Sequence, residues 1–133
     1  MQKRLLVSLF NDHDEVKGYQ YLLTKWSKNP NFPQVSFQSQ NLAEEETQQA
    51  IPEAAQQELA NADALLVLIG SQTMDNSYWL GWQITTAAQL NKPVLIYKLR
   101  ASYLSPYEVY DFDVHWIHDF SFDEIRNFFL TRL

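Results

Sequence analysis

The stretch Asp63–Lys98, DALLVLIGSQTMDNSYWLGWQITTAAQLNKPVLIYK, leaves a folding chain few options. Ala64–Ile69 is an unbroken apolar run of buried-strand length, closed by Gly70. Ser71–Asn76 is built of turn formers, Ser77–Leu90 repeats its apolar positions at helical spacing, and Asn91-Lys92-Pro93 stops that helix. Val94–Tyr97 is apolar and β-branched again. Strand, loop, helix, turn and strand make a βαβ unit, which implies a parallel sheet with its ligand crevice at the carboxyl ends of the strands. On the helix, Trp79, Trp82 and Gln83 stand at i, i+3 and i+4, so they are expected to share one face. Function is expected to be decided there.

The flanking sequence continues the alternation. Arg4–Phe10 (RLLVSLF) reads as a first strand buried on both faces. Asn11-Asp12-His13-Asp14 supplies turn chemistry and an N-cap. Glu15–Trp26 reads as a helix with the stripe Val16, Tyr19, Leu22, Leu23 and Trp26, broken by Lys28–Pro33. Gln34–Phe37 is a short edge strand and Ser39–Gln49 a polar, acidic loop. Ala50–Ala60 is a second helix that tolerates Pro52 in its first turn. Beyond the βαβ unit, Arg100–Asp113 reads as irregular and Val114–Ile117 as a last strand. Ser121 caps a final helix, Phe122–Leu133, with Phe122, Ile125, Phe128 and Phe129 facing the core. The rhythm predicts an α/β three-layer sandwich with a parallel five-stranded sheet in flavodoxin-like order, one domain over residues 1–133.

Composition narrows the functional classes. The net charge of −6 argues against polyanionic nucleic acid as the main partner, while leaving room for a nucleotide in a local pocket. No apolar run reaches the roughly 18 residues of a membrane helix. Acidic residues arrive at once after the short apolar start, so no signal peptide is expected. Cysteine is absent, which removes disulfides and thiolate metal sites and fits a cytoplasmic protein. His13, His115 and His118 are dispersed, and no metal site is expected. Aromatic residues make up 14 % of the chain, so the rings either fill a small core or line a pocket for a planar ligand.

A first strand ending in Ser and an aromatic (VSLFNDHDE), a third strand ending in Gly-Ser (LLVLIGSQT), the helix start S-x-W-x-x-x-Q and the next strand after Lys-Pro (NKPVLIY) together resemble a TIR domain. The likeness is to the short bacterial TIR-like group of Thoeris-type antiphage defence, and it spans roughly Leu5 to Leu99. The resemblance implies an NAD⁺ nucleosidase that releases an ADP-ribose-based immune signal, with NAD⁺ as substrate rather than cofactor. It also implies assembly as TIR–TIR homo-oligomers. The family's catalytic Glu stands four residues after a Trp. Trp79 is that Trp here, and the matching position is Gln83.

Breaking the nicotinamide–ribose bond develops positive charge on the sugar, which a carboxylate offsets. Gln keeps the shape and can hold a ribose hydroxyl, yet carries no charge. Three readings follow: an engineered Glu→Gln form made to trap substrate, a natural non-catalytic TIR, or a register one turn off. The first is favoured, because the rest of the site looks intact.

The resemblance also places the loop after the first strand beside nicotinamide and ribose. It makes Ser8, Phe10, Asn11 and Asp12 candidate substrate-binding residues, although Asn11 and Asp12 serve equally well as helix caps. Ser71 and Thr73 are within reach of a phosphate or ribose from the third strand's end, or are ordinary loop residues. Trp79 and Trp82 either stack on a flat ring or belong to the core. Gln38–Glu46 matches a loop that covers the site or joins subunits, and its acids Glu44–Glu46 read equally as a solvated face. Alternatives of other classes are a TIR assembly or nucleotide-sensing module, with Tyr103–Tyr110 as an interface, and a nucleoside deoxyribosyltransferase-like enzyme. A phospho-receiver is a poor fit, because Ile69-Gly70 stands where its Asp belongs.

Overall fold

The runs Leu5–Val7, Ala64–Ile69 and Val94–Ile96 are buried throughout, and they become the three middle strands of one sheet. A computed structural model describes residues 3–8, 13–40, 53–71 and 77–133. Along them run β1 (Lys3–Ser8), α1 (His13–Ser27), β2 (Val35–Gln40), α2 (Glu53–Asn61) and β3 (Ala64–Ile69). There follow α3 (Ser77–Gln89), β4 (Val94–Lys98), α4 (Glu108–Asp111), β5 (His115–Trp116) and α5 (Phe122–Arg132). All pairs are parallel, in the order β2-β1-β3-β4-β5, which is the flavodoxin-like order that the sequence predicts.

Side chains alternate across the strands, and this sorts the helices into two layers. Leu5, Val7, Leu66, Leu68 and Leu95 pack under α1 and α5. Leu6, Leu65, Val67, Ile69, Val94 and Ile96 pack under α2, α3 and α4. The first layer takes most of the rings. Tyr19, Trp26, Phe32, Tyr97, Phe120, Phe122 and Phe129 meet one another at centroid distances of 5.0–6.4 Å, so these rings are structural rather than a ligand platform.

Local chemistry fixes the joints around α3. Asn91 takes φ 58°, and Asn91 N–H donates to Ala88 O while Lys92 N–H donates to Ala87 O. This Schellman ending makes Pro93 a natural next residue. Lys92 Nζ donates to Ala62 O at 2.5 Å, placing a cation just past the carboxyl end of α2, where the helix dipole favours one. Asp63 and Arg4 exchange two bonds of 2.8 Å, which aligns the starts of β3 and β1. Ser121 caps α5 by accepting from Glu124 N–H, and the Glu124 carboxylate accepts from His118 and Asp119 N–H.

Several boundaries differ from the sequence expectation. β2 continues through Gln40 because backbone pairing with β1 extends to Ser8↔Gln40, whatever the side chains; it is an edge strand, as read. His13 and Asp14 lie inside α1 instead of preceding it, and Asn11 and Asp12 fall outside the described residues. The expected helix start at 50–52 and the strand end at Leu9-Phe10 also fall outside. Arg100–Asp113 holds α4, a single turn anchored by buried Val109 and too short to show a period. β5 is only two residues long, and α5 ends at Arg132.

Candidate functional site

Because Leu5 and Val7 face α1 and α5, the alternate positions Leu6 and Ser8 face α3. β1 therefore delivers a hydroxyl to the carboxyl end of the sheet. α3 answers with Gln83: Ser8 Oγ donates to Gln83 Oε1 at 2.5 Å across 75 residues of sequence. Both side chains are 0 % exposed, and among the described residues they are the polar side chains that reach full burial. A buried amide oxygen without a donor costs about 1–3 kcal/mol, and Ser8 supplies a donor to Gln83 in this place. An uncharged amide suits such a position. A carboxylate there would be driven towards its neutral form by lost hydration and held charged only by donors such as Ser8.

The expected stripe divides. Trp79 is 3 % exposed, packs within the α2–α3–α4 layer and meets Tyr78 edge-on at 5.3 Å, so it is core. Trp82 and Gln83 point about 100° apart around the helix, as adjacent residues must. Trp82 is half-buried and lines a cavity of about 680 Å³ between α3 and the segment leading into α4, with Tyr78, Gly81, Thr85, Pro106, Tyr107 and Glu108 on its walls. A second cavity, of about 630 Å³, lies between β1, β2 and α2 and is lined by Arg4, Ser36, Gln38, Gln57 and Asn61 among others. Neither includes Gln83. Ser71 is exposed in the turn after β3. Phe10, Asn11, Asp12, Thr73 and Glu44–Glu46 lie outside the described residues.

Among the described residues no three His, Asp or Glu side chains converge as metal ligands would, and no helix is long and apolar enough to cross a membrane. The His115 ring lies against Phe128 at 4.7 Å, and burial pushes its pKa down. Sequence reasoning missed Glu108, whose carboxylate occupies the space that a Cβ at Gly81 would fill. The available signal was a glycine inside an otherwise good helix, which marks close approach of another group.

The family model described as Thoeris protein ThsB, TIR-like domain, matches residues 9–102, about seven tenths of the chain. That span includes Trp79 and Gln83, begins just past Ser8 and stops short of Glu108. No curated protein matches the chain.

Proposed function

The chain belongs to the TIR-like domain family of the Thoeris protein ThsB, an antiphage-defence family, and on that premise we propose that its site takes NAD⁺. In this reading Gln83 stands where a cleaving site has a carboxylate, so the chain binds the dinucleotide and opens the nicotinamide–ribose bond slowly. The observation that carries the reading is the Ser8–Gln83 bond: residue 83 is turned inward and oriented by a hydroxyl at the carboxyl end of β1, the end where α/β sheets bind ligands.

The chemistry makes the amide consequential. When the ribose C1′–N bond breaks, nitrogen keeps the electron pair and nicotinamide leaves neutral, while positive charge builds on the sugar. Water then adds at that carbon and gives ADP-ribose and a proton, or a hydroxyl of the same molecule closes a ring. Gln83 can orient a ribose hydroxyl but cannot offset the charge, a loss on the order of a hundred- to a thousandfold in rate. The product serves as the ADP-ribose-type signal, and catalysis takes place in an assembly of several copies.

A second reading, a module that binds the nucleotide without cutting it, is favoured by the full burial of Gln83 and the bond that satisfies its carbonyl inside the protein. Gln83→Glu separates the two when assayed at high protein concentration. Nicotinamide release from NAD⁺ that rises by on the order of a hundredfold supports the first. Silence in both forms, with NAD⁺ binding seen by calorimetry, supports the second. Absence of binding and release in both forms overturns the two together, and cleavage of deoxynucleosides alone points to the transferase class.

A further inference from the structure

The cavity between α3 and α4 is lined by Trp82 and by neither member of the buried pair, and part of its wall is past the end of the family match. Its volume of about 680 Å³ falls within the range of small-molecule sites. Three rings line it: Tyr78, Trp82 and Tyr107. Glu108 lines it as well, its carboxylate resting against α3 where Gly81 leaves room. No Lys or Arg lines the cavity, and among the described residues the Glu108 carboxylate makes no hydrogen bond or ion pair. Thr85, Thr86 and Gln89 add hydroxyl and amide groups along the α3 wall.

An unpaired carboxylate in a cavity lined by aromatic side chains has a specific preference. The faces carry the negative end of the ring quadrupole, and the carboxylate adds a full charge, so both attract a cation. A flat cation gains ring contact as well, whereas an anion meets repulsion from Glu108 and from a chain of net charge −6. We infer that this cavity is a binding site for a small, flat organic cation of the pyridinium type, held by Glu108 and stacked against Trp82 and Tyr107. The glycine at 81 then sets the seat of the carboxylate, since a methyl group there would force it to shift. The inference does not rest on the reading of residue 83.

The test is a titration of the full chain with 1-methylpyridinium chloride, followed by nitrogen-15 amide shifts and the Trp82 indole signal. The expected result is saturable shifts at Gly81, Trp82 and Glu108 with a millimolar dissociation constant. Glu108→Gln should weaken binding by about fivefold or more, and benzamide, a neutral flat ring, should bind correspondingly worse. Gly81→Ala should weaken it likewise, and added salt should do so in the wild type. Since Glu108 makes no hydrogen bond among the described residues, Glu108→Gln should keep the unfolding midpoint, so lost binding will not be lost folding. Shifts that map elsewhere, an unchanged constant in Glu108→Gln, or benzamide binding as tightly as the cation would each overturn the inference.

Discussion

The two sides of the sheet are built from different materials. Under α1 and α5 the packing is aromatic and closed: Tyr19, Trp26, Phe32, Tyr97, Phe120, Phe122 and Phe129 interlock ring against ring. Under α2, α3 and α4 the buried packing is mainly aliphatic, with Ala55, Ala62, Ala87 and Gly81 as well as Trp79 among its buried members. That second layer holds the Ser8–Gln83 pair and, on its outer surface, the cavity with Glu108. Large rings fill volume and fix the fold. Small residues let helices approach one another closely and leave space at their outer edges. The difference teaches that the rings under α1 and α5 are a statement about stability, and that the Ser8–Gln83 pair and the ring-lined cavity lie on the other side.

The harshest test of that division is to remove a ring. Phe32 is 5 % exposed and touches Trp26, Phe122 and Phe129. Phe32→Ala should cost about 3–5 kcal/mol in urea unfolding, with the Trp82 indole signal of the folded protein unchanged. A loss below about 1 kcal/mol would mean that the layer collapses readily around the cavity and is less rigid than its contacts imply.

The polar pair on the opposite side should respond by coupling. Gln83→Leu removes the acceptor of the buried Ser8 hydroxyl, and Ser8→Ala removes a donor from the Gln83 carbonyl, each at about 1–3 kcal/mol. The double variant removes both ends together, so its loss should fall short of the sum of the two. Simple addition within about 0.3 kcal/mol would show that the two groups are satisfied independently, and would remove the structural ground for calling them one site.

How far the sequence alone reveals this arrangement depends on the kind of signal. β3, α3 and β4 are legible because each is a long apolar or periodic run with a stop signal at its end, and their rhythm yields the strand order. Ser121 is legible because capping depends on neighbouring residues only. The Ser8–Gln83 bond is not, since its partners are 75 residues apart and meet only through the fold. Family likeness puts both residues in the candidate site, while the hydrogen bond between them is visible only in the structure. α4 is too brief to show a period, and the outward turn of Trp82 was hidden by grouping residues that span too wide an arc of the helix. Glu108 was invisible for a related reason: its seat is defined by an absent side chain on another element.

The smallest expected effect concerns the place where the aromatic side departs from its own rule. His115 belongs to β5, lies against Phe128 of α5, and has a buried Nε2 with no hydrogen-bond partner among the described residues. Lost hydration disfavours its charged form, Arg132 and His118 act in the same direction, and the Glu124 carboxylate opposes them, leaving its pKa below the ordinary 6.5. A folded-state value below the unfolded one stabilises the fold fully above pH 6.5, and that contribution is lost as pH falls through the folded value. Unfolding free energies measured at pH about 8 and about 5 should therefore show a drop that His115→Phe makes shallower. Phenylalanine extends the aromatic packing to the sheet's short edge and carries no proton, so the carboxylates and the other histidines alone would set the remaining slope. An identical slope in both forms would mean that the ring is hydrated at low pH, and that the closed character of this side ends before β5.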